Sequence, residues 1–244
     1  MNSVEDVHEV YLQRSELLDV DSRLIREFAQ RVAVNAKSDR EKAVLIHDAV
    51  RDEVTFGFTG GFYDEKASET LKNRRGFCIT KAALFTSALR SSGIPARMVF
   101  VDISSDILRG VLNTGTQYVE HAYTEVLLDE MWIKTDSYTV DQLMFTKAQQ
   151  ALQEEGSVIG YGVHRSGTIR WDGTKDAFSQ FLDNGEMTTL TTTRYGVFAD
   201  ARALYRSDNK FWNKKTLVLA LLFPFFARLS INPAIDKVRS AGRA

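Results

Sequence analysis

Cys78, His121 and Asp136 are the residues whose types and spacing could do covalent chemistry in this sequence. Cys78 is the chain's one cysteine. It follows Gly76 and Phe77 and opens a long apolar run, so it stands at the head of a predicted helix. Unsatisfied N–H groups and the positive end of the helix dipole lie at such a position. Arg74, Arg75 and Lys81 are close in sequence, and no acid occurs between Lys72 and Ser92. This setting favours thiolate over thiol, the form a nucleophile needs. The competing reading is a buried structural cysteine, because free cysteine is among the most buried residue types.

A thiol nucleophile also needs an imidazole within reach and a third group to orient the ring. Two predicted strands, His121–Leu128 and Met131–Asp136, can supply both. If the turn at Asp129-Glu130 holds two residues, Leu128 pairs with Met131, and paired positions keep the same sum along the ladder. His121 and Asp136 then share one face, about 7–8 Å apart diagonally. Ala122, Thr124, Val126 and Leu128 fall on the other face against Met131, Ile133 and Thr135, which suits a core. Glu125 stands opposite Lys134. A slip of one residue would separate His121 from Asp136, so the apolar pattern and the catalytic pairing select the same register. Asp-Glu is a poor sequence for a type I′ turn, and a longer loop is the alternative. A His–Asp pair on a strand face can also be a plain structural contact.

The elements around these residues follow from periodicity. Ser22–Ala36 and Asp39–Val54 carry apolar residues at helical spacing, the second with Ser38 or Asp39 as its cap. Glycines at 57, 60 and 61 end the pattern, and the stretch to Gly76 reads as loop with one short helix. Cys78–Ser91 is apolar around most of its circumference, as a central helix is, and Gly93 and Pro95 stop it. Arg97–Ile103 is a predicted strand, and Asp141–Glu154 a predicted helix. Helices first and antiparallel strands after argue for an α+β fold.

Composition narrows the function classes. With 44% hydrophobic and 26% charged residues the chain can bury a core. A net charge of −1 suggests no general nucleic-acid binder. One cysteine excludes an intrachain disulfide framework, and no Cys/His cluster has zinc spacing. Nothing implies a metal or an organic cofactor. The N-terminus has no apolar stretch beside a small-residue cleavage site, so a cytoplasmic protein is expected.

Five short motifs occur in order: Ala67-Ser68-Glu69-Thr70-Leu71, Gly76-Phe77-Cys78, Gly93-Ile94-Pro95-Ala96-Arg97, His121-Ala122-Tyr123-Thr124-Glu125-Val126, and Trp132 with Asp136. Together they resemble the transglutaminase-like superfamily core, from about Asp39 to Asp141. The resemblance implies a papain-like α+β fold with N-terminal helices and a Cys-bearing helix packed on an antiparallel sheet. It implies Cys78 as nucleophile, His121 as general base and acid, and Asp136 as the residue orienting the imidazole. Ile79 departs from the aromatic or glycine that many members have after the cysteine. The Cys78 N–H is one expected oxyanion donor, and Asn73 or Tyr63 could be the second.

The expected activity is thiol-dependent acyl transfer or hydrolysis on a peptide or amide substrate, through an acyl-enzyme. Water as acceptor gives a peptidase or amidase, and an amine gives a transglutaminase-type crosslink. The rival reading is an inactive or weak peptide-binding relative of the same fold. An acetyl-transferring enzyme with the same triad would need a phosphate site, and no Gly-rich loop supports one. Residues 1–244 are expected to form one domain, with core 39–141 and 142–244 walling the cleft. His47 reads as a surface or boundary residue and His164 as a solvated loop histidine. Arg97 is expected in a structural ion pair, Trp132 in packing, and Trp171 as a loop anchor. The apolar run 217–226, flanked by Lys214, Lys215 and Arg228, is too short to span a bilayer. A buried helix is expected there, with Leu217, Leu219, Leu222 and Phe226 mostly covered. An interfacial or oligomer contact is the alternative.

Overall fold

The computed structural model describes residues 8–182, 193–207, 223 and 225–241. Two helices come first, α1 (Arg23–Val32) and α2 (Asp39–Glu53). Ser38 caps α2: its hydroxyl accepts the Glu41 N–H at 3.2 Å, and Asp39 and Glu41 suit the positive helix end. Ala43, Ile46 and Val50 form the buried face. A two-residue strand β1 (Thr55–Phe56) then pairs in parallel with β2 (Arg75–Gly76), across the short helix α3 (Ala67–Asn73). This pair fixes the chain immediately before Cys78. Gly76 is required there, because a Cβ would sit 2.7 Å from the Thr80 hydroxyl and 2.9 Å from Thr70.

The central helix α4 (Cys78–Ser91) starts at Cys78 as expected. The Thr80 hydroxyl accepts the Phe77 N–H at 3.1 Å, which satisfies a backbone donor at the helix entry. Every residue from Cys78 to Arg90 is buried, so the helix is enclosed on all sides. It ends where Gly93 takes φ +80° and the Ile94 N–H reaches back to Leu89 O at 3.0 Å. Such a closure favours glycine, since a Cβ is strained at positive φ.

β3 (Ala96–Ser104), β4 (Tyr118–Leu128), β5 (Met131–Thr135) and β8 (Arg194–Phe198) form an antiparallel sheet of order β5-β4-β3-β8. Two further two-residue strands, β6 (Ile159–Gly160) and β7 (Val163–His164), pair with each other. Leu128 faces Met131 and Thr124 faces Thr135, so the β4–β5 turn holds only Asp129 and Glu130. Both have positive φ, +49° and +62°, the backbone of a type I′ turn. Turn twist prevails over residue preference here, and Arg40 grips the Asp129 carboxylate.

The sheet has two covered faces. Met98, Phe100, Ala122, Val126 and Ile133 belong to the main core with α4. Val99, Val101, Ile103 and Tyr123 form a second core with Ile159, Phe178 and Phe181. Segment 159–181 therefore covers the face that carries His121. Helix α5 (Gln142–Glu154) is capped by Asp141, whose carboxylate accepts the Met144 N–H at 3.2 Å. A short helix α6 (Ala201–Arg206) follows β8, and a π-helical turn, Ala227–Ile231, leads into α7 (Asn232–Ser240).

One expectation about exposure is corrected. Phe226 is 57% exposed, with Phe225 and Leu229 beside it, because this helix turns other residues inward: Phe223, Ala227 and Ile231 are buried. Leu217, Leu219 and Leu222 lie outside the described residues. Among the described residues no helix is long and apolar enough to cross a membrane.

Candidate active site

Cys78 opens α4, His121 sits in β4, and Asp136 lies just past the end of β5. The structure brings all three together. Cys78 and His121 line one cavity. His121 Nε2 is 3.0 Å from Asp136 Oδ2, and both side chains are fully buried. The contact is a close ion pair; the ring N–H is not aimed straight at the oxygen. The other ring nitrogen is left for the thiol. Burial alone would lower the imidazole, but the Cys78 sulfur and the Asp136 carboxylate outweigh it and hold His121 up at about 9. At neutral pH the ring is thus held protonated beside the Asp136 carboxylate.

Asp136 is oriented from a segment that no motif marks. Its Oδ1 accepts the Ser179 N–H at 2.5 Å and the Ser179 hydroxyl at 3.1 Å. Its Oδ2 accepts the Gln180 N–H at 3.4 Å. The Asp136 N–H donates to Ala177 O at 3.1 Å. Gln180 also lines the cavity, its side-chain amide tied to Gly162 O at 2.7 Å.

His47 is fully buried rather than at a boundary. Its Nε2 is 2.7 Å from the Ser137 hydroxyl, and its Nδ1 is 2.9 Å from Asp48. Burial pushes this imidazole down. Ser137 in turn bonds the Thr135 hydroxyl at 2.7 Å, so this chain braces both residues flanking Asp136. His164 is also buried, not solvated, and its Nδ1 accepts the Ser166 N–H at 2.9 Å.

The basic residues near Cys78 in sequence are engaged elsewhere. Lys81 is buried and donates to Val54 O and, at 3.4 Å, to Arg51 O. Burial brings it down to about 7. Arg74 faces Glu53, and Arg75 faces Asp236. With these side chains drawn to other partners, the local charge at Cys78 comes from the helix end and His121.

Of the two expected second oxyanion donors, Tyr63 lines the cavity and Asn73 does not. Tyr63 donates to Glu120 at 3.1 Å, while Asn73 donates to Glu65 at 3.0 Å. Arg97 pairs with Glu125 at 2.6 Å and lies 4.0 Å above the Trp132 ring, the structural role expected of both. Trp171 anchors its loop by donating to Lys175 O at 3.0 Å. Among the described residues no three His, Cys, Asp or Glu side chains converge as metal ligands.

No curated protein matches the chain. Among solved structures, a candidate cysteine protease from Cytophaga hutchinsonii is 20% identical, over 52% of this chain and 40% of that one, with a TM-score of 0.44. A candidate protease from Parabacteroides distasonis is 17% identical, over 49% of this chain and 25% of that one, with a TM-score of 0.34. The chain thus spans less than half the length of either. A family model matches residues 26–137, from α1 to just past Asp136, beginning earlier than the motifs do. That model is the one of the transglutaminase-like superfamily, and over those residues the chain is similar to it.

Proposed function

We propose that the protein is a thiol enzyme that transfers or hydrolyses acyl groups of peptide or amide substrates through Cys78, His121 and Asp136. The observation carrying this reading is that a helix-start cysteine and a buried histidine line one cavity, with a buried carboxylate 3.0 Å from the histidine ring. The Cys78 sulfur adds to the substrate carbonyl carbon, forming a C–S bond. Negative charge gathers on the carbonyl oxygen near the first turn of α4, where backbone N–H groups lie. As the tetrahedral intermediate collapses, the C–N bond breaks and His121 gives its proton to the departing amine. Water or a second amine then attacks the acyl-enzyme, His121 takes the proton, and the thiolate leaves. Asp136 holds the ring and balances its charge.

Residues 142–244 act in this reading as part of the same domain. Ser179 and Gln180 hold Asp136, and Gln180 and Phe223 line the cavity. A reduced catalytic thiol suits the cytoplasm.

Alkylation tests the reading. Cys78 should react with iodoacetamide at pH 6 faster than free cysteine, at least about tenfold. His121→Ala should remove most of that advantage. Cys78→Ala should keep the fold by circular dichroism and abolish peptide or amide turnover. A wild-type rate no greater than that of free cysteine, unchanged in His121→Ala, overturns the reading and leaves a peptide-binding relative.

A further inference from the structure

We propose that the cavity beside Cys78 receives an apolar aliphatic group of about four carbons, carried by the substrate next to the bond under attack. This rests on the reading of Cys78 as the nucleophile and adds the chemical class of what the thiol meets.

The cavity has a volume of about 100 Å³. A cavity of about 150 Å³ holds benzene, so this one suits an isobutyl or sec-butyl group. Two apolar walls enclose it. One is aromatic: Phe58 stacks on Phe77 at 5.0 Å between ring centroids, and Phe223 meets Phe58 edge-on at 5.5 Å. Interlocked rings of this kind leave the wall little freedom to collapse or widen. The other wall is aliphatic, from Ile103 at the end of β3 to Leu108 and Leu112 just beyond. The candidate nucleophile and His121 stand in the same lining, so an occupant is held against the thiol.

The polar groups do not offer a charged substrate a counter-ion. No lysine or arginine occurs among the described lining residues. The carboxyl group of the lining, Glu120, already accepts the Tyr63 hydroxyl at 3.1 Å. Burial also holds that carboxyl above the ordinary range. The charge of His121, also in the lining, is already matched by Asp136 at 3.0 Å, so a carboxylate or ammonium entering here would lose its water without gaining a free partner, which is costly. Each buried methylene instead gains roughly fourfold in affinity.

Chloroacetamide and its N-isobutyl, N-(2-carboxyethyl) and N-(2-aminoethyl) derivatives read this directly. The second-order rate of modification at Cys78 is measured by peptide mass mapping on the full chain. Each rate is divided by that of the same reagent with free cysteine. The isobutyl reagent should exceed the parent by about tenfold or more, and the two charged reagents should not exceed it. Leu112→Gln, at a half-buried position of the wall, should reduce the isobutyl advantage several-fold. An isobutyl reagent no faster than the parent, or matched by either charged reagent, overturns the pocket. The parent reagent reports on the thiol alone. If it reacts no faster than with free cysteine while the isobutyl advantage persists, the nucleophile reading fails and the pocket stands.

Discussion

His121 is held as an imidazolium by the Cys78 sulfur and the Asp136 carboxylate against the opposing effect of burial. A pKa raised from 6.5 to about 9 means the folded chain binds this proton more tightly than the unfolded chain does. The stability it contributes is therefore full below about pH 6.5 and is lost as pH rises through 9. In the proposed mechanism the same proton is the one the leaving amine needs. The kcat–pH profile should accordingly fall on its alkaline side with a midpoint near 9. Asp136→Asn removes the carboxylate that helps hold the ring's proton, so that midpoint should move to lower pH and kcat should drop by at least about tenfold. A pH titration of wild type and variant, with unfolding checked in parallel, separates this from loss of fold. A midpoint that does not move would show that Asp136 leaves the imidazole's charge unaffected.

At the scale of elements, the β4–β5 hairpin sets the register that puts His121 beside Asp136, and it does so through a strained turn. Glu130 takes φ +62° at an exposed position, a conformation that costs a residue with a Cβ roughly 1–2 kcal/mol. Glycine escapes that cost but gives back some in chain entropy. Glu130→Gly should therefore stabilise the protein by about 0.5–1 kcal/mol, visible as an increase of roughly 1–4 °C in Tm. The register itself was legible in the sequence. Ala122, Val126 and Leu128 alternate with His121, Tyr123 and Glu125, and a slip of one residue would turn the apolar set away from α4. The helix start at Cys78 was legible for a similar reason, because Gly76, the apolar run and Gly93 act through neighbours in the chain.

For the molecule as a whole, helix α7 is pinned to the strand that leads into the cavity. Asn232 bonds both the N–H and the carbonyl of Phe58, at 2.9 and 2.8 Å. Arg239 reaches Asp141 at 2.7 Å and the Phe56 carbonyl at 2.9 Å. Burial would raise the Asp141 carboxyl, but Arg239 outweighs it and holds it below its ordinary value. The stability from this pair is thus present above about pH 4 and is lost as pH falls through the folded value. With side chains only 13% and 8% exposed, breaking the pair leaves a buried charge. Arg239→Ala should cost about 3 kcal/mol near neutral pH, and that deficit should shrink as pH falls below about 4, where the wild type loses the pair and the variant's buried carboxyl takes up a proton. Urea unfolding across pH 3–7 checks both. A loss below about 0.5 kcal/mol would mean that α7 is not anchored there.

The sequence by itself determined what depends on near neighbours: α4 and its boundaries, the β4–β5 register and the α+β order, and it singled out Cys78, His121 and Asp136 as candidates. Period, capping and alternation act within a few residues, and they can be read along a line. The tertiary structure alone decided which way the charges face and what becomes buried. Arg74, Arg75 and Lys81 adjoin Cys78 in the chain yet serve Glu53, Asp236 and the end of α2. Ser179 and Gln180 lie more than forty residues beyond Asp136 and still hold it. His47 and His164 look polar and accessible in sequence, but other segments close over them. These contacts join residues far apart in the chain, and such residues share no period. Their pairing is set by how the layers pack, because burial belongs to the assembled core and not to any one segment.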